Sequence, residues 1–194
     1  VKHNADRRKD CIGCHVVGFE ETGGYNFPRR PTHLENVGCE SCHGPGSAHL
    51  DWARLPEMDR DYQGNLGLTV RTNQLSSKQH VELCAPCHSR RGGLQNLDHR
   101  NQPLLDYIDP QLPVEPFYFI DGQINEEVYV YGSFTQSKMY LRDVRCSDCH
   151  NAHSGKLLFE GNKLCLQCHI PADYDSYDHH FHKEAGIWHC RQSL

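Results

Sequence analysis

The sequence points to a mostly irregular chain with short α-helices and a small β-hairpin, organised around attached groups rather than an apolar core. Three observations carry this. Only 37% of the 194 residues are hydrophobic and the mean hydropathy is −0.71, too little for a conventional interior. Gly and Pro punctuate the chain at Gly23-Gly24, Pro28 to Pro31, Gly44-Pro45-Gly46, Gly92-Gly93 and Pro110 to Pro116. Between these turns one pattern, C-x-x-C-H, recurs five times.

The copies are Cys11-x-x-Cys14-His15, Cys39-x-x-Cys42-His43, Cys84-x-x-Cys87-His88, Cys146-x-x-Cys149-His150 and Cys165-x-x-Cys168-His169. This is the attachment signature of c-type haem. Two thiols bond the porphyrin vinyl groups and the adjacent histidine reaches the iron as proximal ligand. The Cys149 to Cys165 spacing also fits a zinc ribbon, and a lone C-x-x-C can be a redox dithiol. The histidine decides between them. His is 15 of 194 residues, so five coincidences have odds of roughly a few in a million. The sequence therefore predicts five covalently attached haem c groups. Cys190 is the one cysteine outside the motifs. It reads as a truncated or altered sixth motif in preference to a functional thiol.

The elements follow in order along one multihaem domain, residues 1–194. A haem pair occupies about 1–60, a middle haem about 61–110, and a hairpin with a second haem pair about 111–194. Ser47 is placed to cap a helix running to Leu55, stopped by Pro56. Ser76-Ser77-Lys78-Gln79 reads as a capping box opening a helix into the third motif. Phe117 to Ile120, Asp121-Gly122 and Val128 to Tyr131 read as a β-hairpin, a flap over haem faces. Asn162 is placed to cap a helix carrying Cys165 to His169. With about 39 residues per motif, each porphyrin face packs on another porphyrin or a loop, and folding depends on cofactor attachment.

The formal charge is −5, and basic residues are scattered apart from runs such as Arg7-Arg8-Lys9. Nucleic acid is not indicated as a partner. No apolar stretch reaches membrane-spanning length. The start at Val1 reads as a mature form or a fragment. Attachment of haem to such motifs takes place outside the bacterial cytoplasm, so the expected location is periplasmic or extracellular, at the cell surface.

The sixth iron position determines function. A second histidine closes the iron and makes an electron carrier; an open position admits substrate. Ten histidines lie outside the motifs, enough for bis-histidine ligation of every haem. His153, three residues after His150, leads the distal candidates. His49 follows the turn at Gly44-Pro45-Gly46. His180 and His182, in the run His179-His180-Phe181-His182, and His33 complete the set. His80 and His99 rank lower as lone histidines, and His3 and His189 sit near the chain ends.

The string Val37-Gly38-Cys39-Glu40-Ser41-Cys42-His43-Gly44-Pro45-Gly46-Ser47-Ala48-His49 resembles the multihaem superfamily of hydroxylamine oxidoreductase and its tetrahaem cytochrome c partner. Cys84 to Arg91, Glu127 to Phe134, Gln136 to Tyr140, Cys146 to His150 and His179 to His182 are similar to multihaem cytochromes c that carry tetratricopeptide repeats in longer relatives. The resemblance implies a multihaem cytochrome c fold built on stacked and T-shaped haem pairs, an electron wire. It also implies distal roles for His49 and His153. No tetratricopeptide repeat is present, no further motif follows the histidine-rich run, and the lysine-ligated motif of pentahaem nitrite reductases is absent.

The expected function is electron transfer without catalysis, to other redox proteins or to copies of the same chain in a homo-oligomer or filament. The alternative is an oxidoreductase acting on small nitrogen or sulfur compounds at a five-coordinate haem, with His99, Tyr140 or an Asp as acid–base group.

Overall fold

A computed structural model describes residues 37–94, 102–174 and 177–180. The chain divides into two compact units between Val144 and Arg145.

In the first unit, helix α1 (Cys39–His43) is one turn long and ends at Gly44, whose φ is +82°. Helix α2 (Ser47–Arg54) begins after Gly46 and ends at Leu55, which is extended ahead of Pro56. The stop is the one the sequence predicts, since a residue before proline is pushed out of the helical region. The start differs by one position. Ser47 is the first helical residue, Gly46 occupies the cap with no side-chain cap bond, and the Glu40 carboxylate accepts the Gly46 N–H at 2.9 Å. Arg60 closes the other end, donating to the carbonyls of Ala53 (2.7 Å) and Leu55 (2.9 Å).

Helix α3 (Ser77–His88) is opened by the predicted capping box. Ser76 Oγ accepts from the Gln79 N–H at 3.2 Å, and Gln79 Oε1 accepts from the Ser76 N–H at 2.9 Å. The helix buries His80, Val81, Ala85 and Pro86. After it, β1 (Arg91–Gly93) pairs antiparallel with β2 (Ile108–Pro110), in the register Arg91↔Pro110 and Gly93↔Ile108. Ala85, Leu104, Tyr107 and Ile108 form a small apolar cluster with Tyr131 packed against it. Ala85 of the middle motif therefore belongs to a packed apolar cluster.

The hairpin predicted over residues 117–131 is corrected. Its turn is present: Phe119 N–H bonds Gln123 O at 2.8 Å, Gly122 N–H bonds Phe119 O at 2.9 Å, and Tyr118 bridges Ile124. The returning arm is Gln123 to Glu126 and not Val128 to Tyr131. Tyr129 has φ +61°, which breaks an extended run, and Tyr131 starts helix α4 (Tyr131–Thr135). Aromatic and β-branched character fits a half-buried surface of any kind; here Tyr118 and Val128 bury as core side chains (1% and 2% exposed).

In the second unit, β3 (His150–Asn151) pairs with β4 (Lys156–Leu157) as a short hairpin. The Asn151 carboxamide oxygen shapes its turn by accepting the N–H groups of His153 (3.0 Å) and Ser154 (3.1 Å). The helix expected from Asn162 is a 3₁₀ segment, Gly161–Gln167, with Glu160 in the cap position and no side-chain cap bond. Helices α5 (Pro171–Tyr174) and α6 (Tyr177–His180) follow.

Large apolar side chains stand outward among the described residues, Ile120 at 99%, Met58 at 91% and Leu141 at 73% exposure. No helix among the described residues is long and apolar enough to cross a membrane.

Candidate functional site: the haem motifs and their histidines

Four of the five motifs lie in the described residues, on different backbones. The second is the whole of α1 and the third ends α3. The fourth runs through a 3₁₀ turn at Cys146–Asp148 into β3. The fifth leaves the 3₁₀ segment in one helical turn, with the His169 N–H on Cys165 O at 3.0 Å. What they share is the i, i+3, i+4 spacing, which on a helical turn brings two sulfurs and an imidazole toward one side. The first motif, Cys11, Cys14 and His15, lies outside the described residues. So do His33 and His182, as well as His3, His99, His189 and Cys190. His180 is the last residue of α6.

None of the eight described cysteines is buried. Cys39, Cys165 and Cys168 are exposed, and Cys42, Cys84, Cys87, Cys146 and Cys149 are half-buried. Partial burial is the largest influence pushing the Cys149 thiol above its ordinary pKa; Asp148 adds to it, then Cys165, Cys168 and Cys146. The fourth and fifth motifs are thus neighbours within the second unit. Gln167 joins them by donating to the Asp148 carbonyl at 3.3 Å, and Leu158 N–H bonds Cys149 O at 2.9 Å.

His43 is held from both ends. Its carbonyl accepts the N–H groups of Thr69 (3.1 Å) and Val70 (3.2 Å), and its Nδ1–H donates to Val70 O at 3.2 Å. His49 has the same arrangement outside any motif, with Nδ1–H donating to Leu66 O at 2.7 Å. A ring nitrogen that donates to a backbone carbonyl fixes the tautomer and leaves Nε2 with its lone pair for a metal. The His49 ring also stacks on Trp52, with centroids 5.5 Å apart and planes at 18°. Trp52 is tied down by its Nε1–H on Asp61 O at 3.0 Å.

The Leu66 carbonyl is available because of a tight turn. Leu66 (φ +55°) and Gly67 (φ +74°) both lie in the left-handed region, and Leu68 N–H closes on Asn65 O at 2.9 Å. Gly67 is required twice over: by its φ, and because a Cβ there would strike the Ala48 backbone carbonyl.

His150, the first residue of β3, and His153, in the β3–β4 turn, are both exposed. His88 is exposed, and His169 packs edge-on against Tyr174 with ring centroids 4.2 Å apart. The histidine that sequence reasoning undervalued is His80. It is 8% exposed, and its Nδ1 meets no hydrogen-bond partner among the described residues. Its position one turn before Cys84 on a capped helix was the available signal.

The donor set fits haem. Among the described residues, paired accessible sulfurs precede each motif histidine and two imidazoles are oriented by carbonyls.

Known proteins agree with this chemistry. Residues 1–44 match the family described as cytochrome c554 and c-prime, and residues 140–173 match the doubled CXXCH motif. Cytochrome c-554 of Nitrosomonas europaea is 60% identical over 111 residues, which is 56% of this chain and 43% of that protein. The match thus spans under half the length of the curated relative. No solved structure matches the chain. Motifs and likenesses together support a multihaem c-type cytochrome with haem c as its cofactor.

Proposed function

We propose that this chain is an electron carrier with five haems, mainly bis-histidine ligated, working in the periplasm or at the cell surface. Bound haem c supplies a one-electron iron couple. The chain's residues fix where each iron stands and what can reach it. The C-x-x-C-H motifs set the proximal side. Second histidines would close the distal side, leaving no position for substrate.

The observation that carries this reading is the bond from His49 to Leu66 O, 2.7 Å. A histidine outside every motif is held in the same tautomer and by the same kind of partner as the motif histidine His43. That is how a metal-binding imidazole is oriented by its outer shell. His153 is proposed as a further distal ligand; the Asn151-based turn fixes its backbone three residues from His150. The closeness of the fourth and fifth motifs would favour exchange between the haems they hold. Partners would be other redox proteins or further copies of this chain, the latter in a filament if terminal haems meet end to end.

Electron paramagnetic resonance of the oxidised holoprotein, followed by a reductive titration, tests the proposal. The expected result is low-spin ferric haem with five electrons taken up per chain. A substantial high-spin component that binds small nitrogen or sulfur compounds would establish an oxidoreductase in its place.

A further inference from the structure

We propose that Arg90 and Arg91 form an anion site beside the third motif, one that takes a carboxylate or a small oxyanion. The inference goes beyond the electron-carrier reading: it needs haem on the third motif and holds whichever ligand closes the iron. The two arginines open onto a cleft of about 370 Å³ that Asp109 and Gln111 also line. The cleft sits at the end of the β1–β2 ladder, where Arg91 pairs with Pro110 and the Gln111 N–H bonds Arg90 O at 2.8 Å.

Both guanidinium groups are held in place with donors to spare. Arg90 lies over the Phe117 ring, 4.4 Å from its centroid, and donates to Glu127 O at 3.1 Å. Arg91 donates through Nε to Pro86 O at 2.5 Å. Each group thus has further N–H donors in a planar fork that matches a carboxylate. Among the described residues neither arginine forms an ion pair. Two positive charges against the single Asp109 carboxylate leave the cleft net positive. An anion there relieves the repulsion between the arginines, and groups already ordered lose little freedom on binding it.

The site adjoins the haem attachment. Pro86, which Arg91 holds, lies between Cys84 and Cys87. Two sources supply the same chemistry: a propionate of the third haem itself, or an oxyanion from solution. Either way the charges of the cleft act on that iron. Added negative charge favours ferric iron and lowers the potential, and its removal raises it.

The test is spectropotentiometry of the haem-loaded wild type, R91Q and D109N, at fixed ionic strength, with and without inorganic phosphate. Asp109 is exposed, and D109N keeps both arginines and their anchors. One haem is expected at lower potential in R91Q and at higher potential in D109N. With a propionate as occupant, phosphate moves no haem. With an occupant from solution, phosphate lowers the potential of one wild-type haem and saturates; R91Q loses the effect and D109N reaches it at lower phosphate. Either pattern supports the proposal. A shift in R91Q alone, with D109N like the wild type and no response to phosphate, would show that Arg91 only braces Pro86 and would overturn it. Potentials unchanged in both variants, whatever the phosphate, would overturn it equally. High-spin haem in the wild type would count against the electron-carrier reading and leave this test in force.

Discussion

His49 Nδ1 stands 2.7 Å from the carbonyl oxygen of Leu66, seventeen residues away. The two are brought together by a turn whose central residues both have positive φ. Such a turn strains Leu66 and demands glycine at the next position. The contact orients a side chain that the motifs alone do not account for.

Gly67→Ala should therefore cost about 2 kcal/mol of stability, from left-handed strain and the clash with Ala48 O. It should also release His49. In denaturant titration the midpoint falls, and the spectrum of the oxidised protein gains a high-spin component that His49→Ala reproduces. Retention of full low-spin content by both variants would show that His49 is no ligand.

Ser76→Ala removes the hydroxyl that accepts the Gln79 N–H. The expected loss is about 1 kcal/mol. Chemical denaturation of the holoprotein should register it as a lower midpoint. Ser76→Asp, which keeps an acceptor in the cap, should recover most of the loss.

Tyr131 is held above its ordinary pKa of 10.0, first by burial and then by the charges of Glu82 and Tyr140. The folded state keeps this proton where the unfolded chain gives it up. The native form then binds more protons, so stability declines as pH rises past about 10; below that value the contribution is intact. Midpoints measured at about pH 9 and about pH 11 should fall more in the wild type than in Tyr131→Phe. Equal falls in both would contradict the packing of Tyr131 on the Ala85 and Leu104 cluster.

Cys165→Ser with Cys168→Ser should leave the chain one haem short, with the other attachments kept. Because Gln167 is bonded to the Asp148 carbonyl, the fourth haem should also shift in potential. Spectropotentiometry reads both effects. A variant that keeps its full haem content would contradict attachment at this pair.

The parts readable from sequence were those that depend on near neighbours. Ser76 and Gln79 are three residues apart, and Pro56 acts on Leu55, so both helix limits were correct. The C-x-x-C-H copies carried their own chemistry. What failed depended mostly on distant contacts. Val128 to Tyr131 has strand character, but the backbone turns at Tyr129 and Val128 buries as a core side chain. Asn162 was positioned to cap a helix, but Gly161, at φ +57°, opens a 3₁₀ segment instead. His80 resembled any lone histidine until packing enclosed it. The Leu66 carbonyl carries no side-chain signal, so the anchor of His49 could not be read from the sequence.

The most direct measurement is the intact mass of the purified holoprotein, taken with its pyridine haemochrome spectrum. The account predicts a mass above that of the polypeptide by five haem groups, one for each C-x-x-C-H copy, and the absorbance of thioether-linked haem. A protein that weighs only its polypeptide and shows no such absorbance would contradict it.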